Sequence, residues 1–114
     1  MGISTRYIQL PDLLEELRMA EEQGWEKLAR KRKLYFNVDL LLLDEWLLFK
    51  IDETDCQHLL KIIDRRGGRK STIVMSQFNL KEWITQIPNQ LAAESITDAC
   101  SCMMGRVTVC NIRQ

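Results

Sequence analysis

An α/β domain built on a largely parallel sheet is the fold class that this sequence predicts. Short apolar runs alternate with amphipathic helical stretches along the whole chain, the pattern expected of strands joined by helical crossovers. One of those runs, Val38 to Leu43, is continuously aliphatic rather than alternating, which suits a strand covered on both faces. The third observation is size: 114 residues without a Pro/Gly/Ser-rich linker, internal repeat or low-complexity segment fit one domain, 1–114, with a core of its own.

Each element follows from local chemistry. Arg6 to Leu10 is a short β-leaning run, and Pro11 with Asp12 opens a helix whose Leu13, Leu17 and Ala20 share one face. Asp12, Glu15 and Glu16 sit in its first turn, where the helix dipole favours acids. Trp25 to Leu34 follows Gly24 as a second helix. The aliphatic run 38–43 then ends abruptly in Asp44-Glu45. Thr54-Asp55-Cys56-Gln57 has the form of a capping box, and Cys56, Leu59, Leu60 and Ile63 form the apolar stripe of a helix that Gly67-Gly68 stops. Ser71 to Met75 is the next strand, ending in Ser76-Gln77. Asn79 with Glu82 caps a short helix closed by Pro88, Asn89 caps another reaching Met104, and Gly105 turns the chain into a last strand, Arg106 to Cys110.

Composition narrows the function classes. Sixteen Lys and Arg balance sixteen Asp and Glu, so no net field draws the chain to nucleic acid or an anionic membrane, and charge-driven binding must come from local patches. The most apolar window is about half of the ~20 residues that span a bilayer, so no membrane partner is expected. Met1 to Arg6 lacks the features of a secretory signal, and the sequence reads as cytoplasmic. Its four cysteines therefore read as reduced, apolar thiols, since zinc-ligand spacing is missing. His58 is the single histidine and no nucleophile elbow accompanies it, so it reads as a surface residue. Trp25, Trp46 and Trp83 read as packing residues.

Ligands of open parallel sheets bind beyond the carboxyl ends of the strands, where Asp44-Glu45 and Ser76-Gln77 fall. A buried strand ending in Asp-Glu is the Walker B arrangement, in which the Asp holds the magnesium shell and the next acid polarises a water. The plain alternative is a solvated strand end. No G-x-x-x-x-G-K-[ST] phosphate loop occurs in these residues, and Gly67-Gly68-Arg69-Lys70-Ser71 runs from helix to strand, the reverse of the order such a loop needs. Two basic clusters, Lys27 to Lys33 and Arg65 to Lys70, are candidates for phosphate-backbone contact, with Lys31, Arg32, Arg65, Arg66, Arg69 and Lys70 as the nucleic-acid residues. The alternative is a solvated face balanced by nearby acids.

The segments Tyr7 to Leu17, Val38 to Trp46, Leu59 to Phe78 and Leu91 to Val107 together resemble the IstB-like ATP-binding proteins, AAA+ helpers of DNA transposition related to DnaC-type helicase loaders. The resemblance implies an incomplete P-loop NTPase fold, from the second strand onward, without the P-loop strand and helix. It implies ATP and Mg2+ as ligands, Asp44 as the magnesium residue, Glu45 as the water-activating acid and Ser76 as the γ-phosphate sensor. DNA and a transposase are the partners it implies, with a homo-oligomer or a missing N-terminal half as further ones. Where the family carries Asp-Arg in its C-terminal helix, this sequence has Asp98-Ala99, so the arginine finger is lost. The expected function is that of a transposition helper present as a C-terminal fragment or degenerate copy, inactive alone. A non-enzymatic module docking DNA, a transposase or an intact helper subunit, and a helicase-loader relative in replication, are the alternatives. The strand order implied by the family, 5-1-4-3-2, would leave the last strand without its neighbour and one edge of the 71–75 strand bare. The isolated chain is therefore expected to be molten, dimeric or dependent on a partner.

Overall fold

The computed structural model describes residues 2–67, 70–78, 80–101 and 107–111. Its elements run β1 (Thr5–Gln9), α1 (Leu10–Glu22), α2 (Trp25–Asn37), β2 (Leu40–Asp44), α3 (Glu53–Arg66), β3 (Ser71–Ser76), α4 (Leu80–Ile84), α5 (Gln90–Ser101) and β4 (Val107–Asn111). The four strands form one parallel sheet in the order β1-β2-β3-β4. The α/β class and parallel sheet expected from the sequence are what the chain adopts.

Local chemistry explains most boundaries. Pro11 stands at the start of α1, where its missing N–H costs nothing, and Leu13, Leu17 and Ala20 are buried as their spacing predicts. Gly24 precedes α2 at φ 116°, a conformation open to glycine and strained for other residues. The box that opens α3 differs from the expected one. The Asp52 carboxylate accepts from the Asp55 N–H at 2.8 Å and the Asp55 side chain accepts from the Asp52 N–H at 3.4 Å, so the cap lies two residues before Thr54. Asn89 caps α5 as predicted, accepting from the Ala92 N–H at 2.7 Å. The cap assigned to Asn79 lies outside the described residues, as do Gly68, Arg69, Cys102, Met104 and Gly105.

The second strand starts at Leu40 rather than Val38 because a buried arginine claims the residues before it. Arg66, 1% exposed, donates to the carbonyls of Tyr35 at 2.7 Å, Val38 at 2.6 Å and Ser71 at 2.6 Å, and to the Thr72 hydroxyl at 2.8 Å. One guanidinium thus ties the end of α2 to the starts of β2 and β3.

The fourth strand departs from the order that the resemblance implied. β4 pairs directly with β3, from Thr72 opposite Val107 to Ser76 opposite Asn111, so the edge of β3 expected to be bare carries a full parallel ladder. Five β3 positions find backbone partners this way, which removes the unpaired edge that the expectation rested on.

Each crossover steps one strand in the same direction, and right-handed connections then lay every helix on one face of the sheet. Burial follows that geometry. Ile8, Leu41, Leu43 and Val74 share one parity and join Leu13, Leu17, Leu59, Ile62 and Ile96 in a single core. Leu40, Leu42, Ile73 and Met75, on the other parity, stay partly exposed. No helix among the described residues is long and apolar enough to cross a membrane.

Candidate functional site

The candidate site is the carboxyl end of β2. Asp44, its last residue, stands opposite Gln9 of β1 and has the parity of Leu42, which puts its side chain on the open face of the sheet. Both carboxylate oxygens are held: Oδ1 accepts from the Glu45 N–H at 2.8 Å and Oδ2 accepts from the Tyr7 hydroxyl. That bond to Asp44 is the largest cause raising the Tyr7 phenol above its ordinary value. Tyr7 was missed by sequence reasoning. Two residues before the end of β1, on the face that Asp44 shares, it is placed by register, which a lone sequence does not display.

Glu45 turns the chain out of the strand at φ 54°, and Leu47 follows at φ 50°. Left-handed backbone at two non-glycine residues in three is unfavourable locally and persists only where packing fixes it. The packing is visible. Trp46 and Leu47 are fully buried, the Trp46 N–H donates to the Met75 carbonyl at 2.9 Å, and the Trp46 ring meets Trp83 edge-on at 5.7 Å between centroids. Glu45 borders a cavity of about 110 Å³ between the start of α1 and the following loop, with Leu10, Leu14, Arg18 and Phe49 on its walls.

Ser76, expected to sense the phosphate near Asp44, is the last residue of β3. It has the opposite parity, is 1% exposed, and its hydroxyl is fully engaged. The Oγ donates to the Trp46 carbonyl at 2.9 Å and accepts from the Phe78 N–H at 3.0 Å and the Trp83 indole at 3.1 Å. Its proton is directed at the loop after Asp44, so in this arrangement Ser76 clamps that loop. Trp46 and Trp83 are the packing residues predicted.

Trp25 is not one, being 71% exposed at the start of α2 with the Arg32 guanidinium 6.0 Å from its ring. The basic candidates separate in space and state. Lys31 and Arg32 lie on α2 with Lys27, Arg30 and Lys33, and Lys31 is 3.7 Å from Glu16. Arg65 is exposed and stacks over Phe36 near the end of α2, on the helix side of Arg32 and opposite Lys27 and Lys31. Lys70 pairs with Asp39 at 3.0 Å, a carboxyl held below its usual range by the Ser4 backbone and side chain together with that ammonium. Arg66 is a correction: it is interior, and its donors face carbonyls rather than solvent. Arg69 lies outside the described residues.

His58 is a second correction. It is 3% exposed, turned toward α1, with Nε2 3.1 Å from Glu21 Oε1. Helix α3 packs against α1 and α2 as well as α5, so the flank read as solvated is covered. Cys56 is buried, and burial pushes its thiol up to about 11, the inert state expected of it. Among the described residues no three acids, histidines or cysteines gather as a metal cluster.

The geometry now stands beside known proteins. A family model described as IstB-like ATP binding protein matches residues 1–111. The insertion sequence ATP-binding protein y4uH of Sinorhizobium fredii is 38% identical over 95 residues, 83% of this chain and 38% of that protein. The IS1162 ATP-binding protein of Pseudomonas fluorescens is 41% identical over 76 residues, 67% of this chain and 32% of that one. The chain thus spans about a third of the length of these relatives. Among solved structures, AMPPCP-bound DnaA from Aquifex aeolicus matches with a TM-score of 0.69 at 17% identity, over 95% of this chain and 31% of that one. The replication initiator DnaA bound to AMPPCP and single-stranded DNA matches equally well, over 96% and 31%. At that identity the likeness is one of fold, the AAA+ fold.

Proposed function

The chain belongs to the IstB-like ATP-binding proteins of insertion sequences, and from that premise we propose that it carries the hydrolytic strand end of an ATP-dependent transposition helper. Asp44 is the magnesium carboxylate of this reading and Glu45 the acid that orients the attacking water. The observation that carries it is the position of Asp44 at the carboxyl end of a parallel strand, where nucleotides meet such sheets.

The donor set suits the ion. Mg2+ takes one or two carboxylates and completes its octahedron with water and phosphate oxygens, and Asp44 retains lone pairs beyond those used by Tyr7 and Glu45. When bound, Mg2+ neutralises charge on the transferring phosphates. The protein's own contribution is orientation: Tyr7 and the Glu45 amide fix the plane of the Asp44 carboxylate, and the turn at Glu45 directs the second acid away from the strand axis. The phosphate cradle is not among these residues, and Ala99 stands where the family's finger arginine would be. The chain by itself therefore binds Mg-ATP weakly and does not turn it over.

Titration of the 114-residue chain with a fluorescent ATP analogue and Mg2+ tests this. Affinity weaker than millimolar, with no phosphate release, is expected. Millimolar-or-better binding that vanishes in Asp44→Asn contradicts it.

The same reading includes DNA as partner. Two basic faces of α2 support contact with a phosphate backbone: Lys27, Arg30 and Lys31 on the side toward α1, and Arg32 with Arg65 on the side of Trp25 and Phe36. Binding is expected at low salt and is lost on reversal of Lys31 and Arg65. The insertion-sequence names of both relatives favour transposition over helicase loading.

A further inference from the structure

The junction of α1, α2 and α3 holds a polar cluster around the one histidine of the chain. His58 is buried there, with Nε2 3.1 Å from Glu21 Oε1 of α1 and with no hydrogen-bond partner at Nδ1. From α2, Arg32 approaches with a buried Nε that is likewise without a partner, close enough for its charge to oppose a proton on the ring. On its own helix Asp55, held by Arg18 of α1 at 3.3 Å, favours that proton. Helix α5 also packs on α3, but it turns Ala92, Ala93 and Ile96 inward and keeps Glu94 and Asp98 exposed. Arg32 is the member of the cluster that reaches outward. It is half-buried, and its guanidinium lies 6.0 Å from the ring of the exposed Trp25. Two turns beyond His58 on the same side of α3, Arg65 stacks over Phe36 of α2. The histidine therefore lies in the seam that the Arg32 and Arg65 face borders.

We propose that His58 links DNA contact at Arg32 to proton uptake, so that this face holds a phosphate backbone more tightly as pH falls through the histidine range. The inference rests on the DNA reading above and concerns the regulation of that contact. Its physical basis is a change in the balance of charge around the ring. In the free chain, burial and Arg32 oppose a charged imidazole, while Glu21 and Asp55 favour it. A DNA phosphate paired with Arg32 cancels the repulsion and leaves the two carboxylates in excess. The ring then gains by taking a proton, since an imidazolium donates from both nitrogens and Glu21 already stands at Nε2. Bound DNA thereby raises the proton affinity of His58, and by reciprocity a proton on His58 raises the affinity for DNA. The unpartnered Nδ1 and Arg32 Nε suit this role, because no hydrogen bond inside the protein fixes the state of either. Lys27 and Lys31 lie on the opposite side of α2, so charge removed there weakens DNA contact without touching the linkage.

A single histidine makes the test direct, because its Hε1 proton NMR signal reports the titration without overlap. The midpoint is measured for the 114-residue chain alone and with a short DNA duplex at low salt. Duplex affinity is read in parallel from the anisotropy of a rhodamine label at about pH 7.5 and about pH 5.5. The midpoint is expected to rise by about half a pH unit when DNA binds, the effect of one partly screened charge neutralised nearby. Affinity at the lower pH is expected to exceed that at the higher by up to about threefold, the same half unit expressed as an equilibrium. His58→Gln loses that gain. Arg32→Gln raises the midpoint of the free chain, and DNA then moves it no further, whereas Lys31→Gln weakens DNA contact and keeps the shift. If His58→Gln fails to fold, the midpoints of the wild-type chain and Arg32→Gln decide. A midpoint that bound DNA leaves unmoved overturns the proposal while the DNA reading stands, and so does an equal gain on acidification in His58→Gln. No binding at low salt at either pH refutes the DNA reading itself, and the linkage falls with it.

Discussion

Two ionisable residues that sequence reasoning placed on the surface are interior, and each is expected to affect stability. Arg66 sits in an Arg-Arg pair that reads as a solvated or DNA-binding cluster, yet its guanidinium donates to the carbonyls of Tyr35, Val38 and Ser71. Burial pushes its pKa down from the ordinary arginine value, and the carbonyls, the Thr72 hydroxyl and Asp39 compensate the charge. Arg66→Met leaves those carbonyls without donors and is expected to cost about 3 kcal/mol or more in urea unfolding, at about 1 kcal/mol or more for each orphaned group. Arg65→Met, beside it and exposed, should leave the midpoint nearly unchanged. His58 faces Glu21 of α1, Arg32 of α2 and Asp55 of its own helix. Burial lowers its pKa, Glu21 opposes that and Arg32 adds to it. Below the ordinary histidine value the unfolded chain takes up a proton that the folded chain resists, so stability is full above about pH 6.5 and falls on acidification. Asp55, whose pKa burial raises, acts with the opposite sign in the carboxylate range. The melting temperature of the chain is therefore expected to fall from about pH 7 to about pH 5 by more than that of His58→Gln. Equal pH dependence in the two proteins counts against this role for His58.

At the level of elements, helix and strand identity was legible because apolar spacing reports period directly: 3.6 for α1 and α3, a continuous run for β2. Boundaries were less so. For α3 the sequence pointed to Thr54 with Gln57, whereas the capping hydrogen bonds use Asp52 with Asp55. Asp52→Ala is expected to cost about 1 kcal/mol, whereas Thr54→Ala, inside the first turn, costs at most a few tenths. Equal losses in chemical denaturation would move the cap back to Thr54. The start of β2 shifted for a longer-range reason, since Val38 and Asp39 are engaged by Arg66, Ser4 and Lys70 from other parts of the chain.

For the whole molecule, the decisive feature is the side on which the crossovers fall. Consecutive strands stepping in one direction leave the helices on one face, and β4 takes the free edge of β3. A chain ending at Ser101 loses that ladder and exposes the hydrogen-bonding edge of β3. It is expected to unfold at lower urea than the full chain and to self-associate as concentration rises, which sedimentation velocity reads out. Unchanged stability on that truncation would mean that β4 adds nothing to the sheet.

The α/β class, the order of the elements and the Asp44-Glu45 strand end were determined by the sequence itself, because apolar period, caps and the place where an aliphatic run meets acids are local properties. Tertiary structure alone decided that Tyr7 grips Asp44 and that Ser76 spends its hydroxyl on the Trp46 carbonyl. It also decided that Arg66 and His58 are interior and that Leu40, Leu42, Ile73 and Met75 stay partly exposed while their strand neighbours are buried. Those facts depend on strand register and crossover hand, which bring together residues tens of positions apart and leave no trace in the spacing of any single segment.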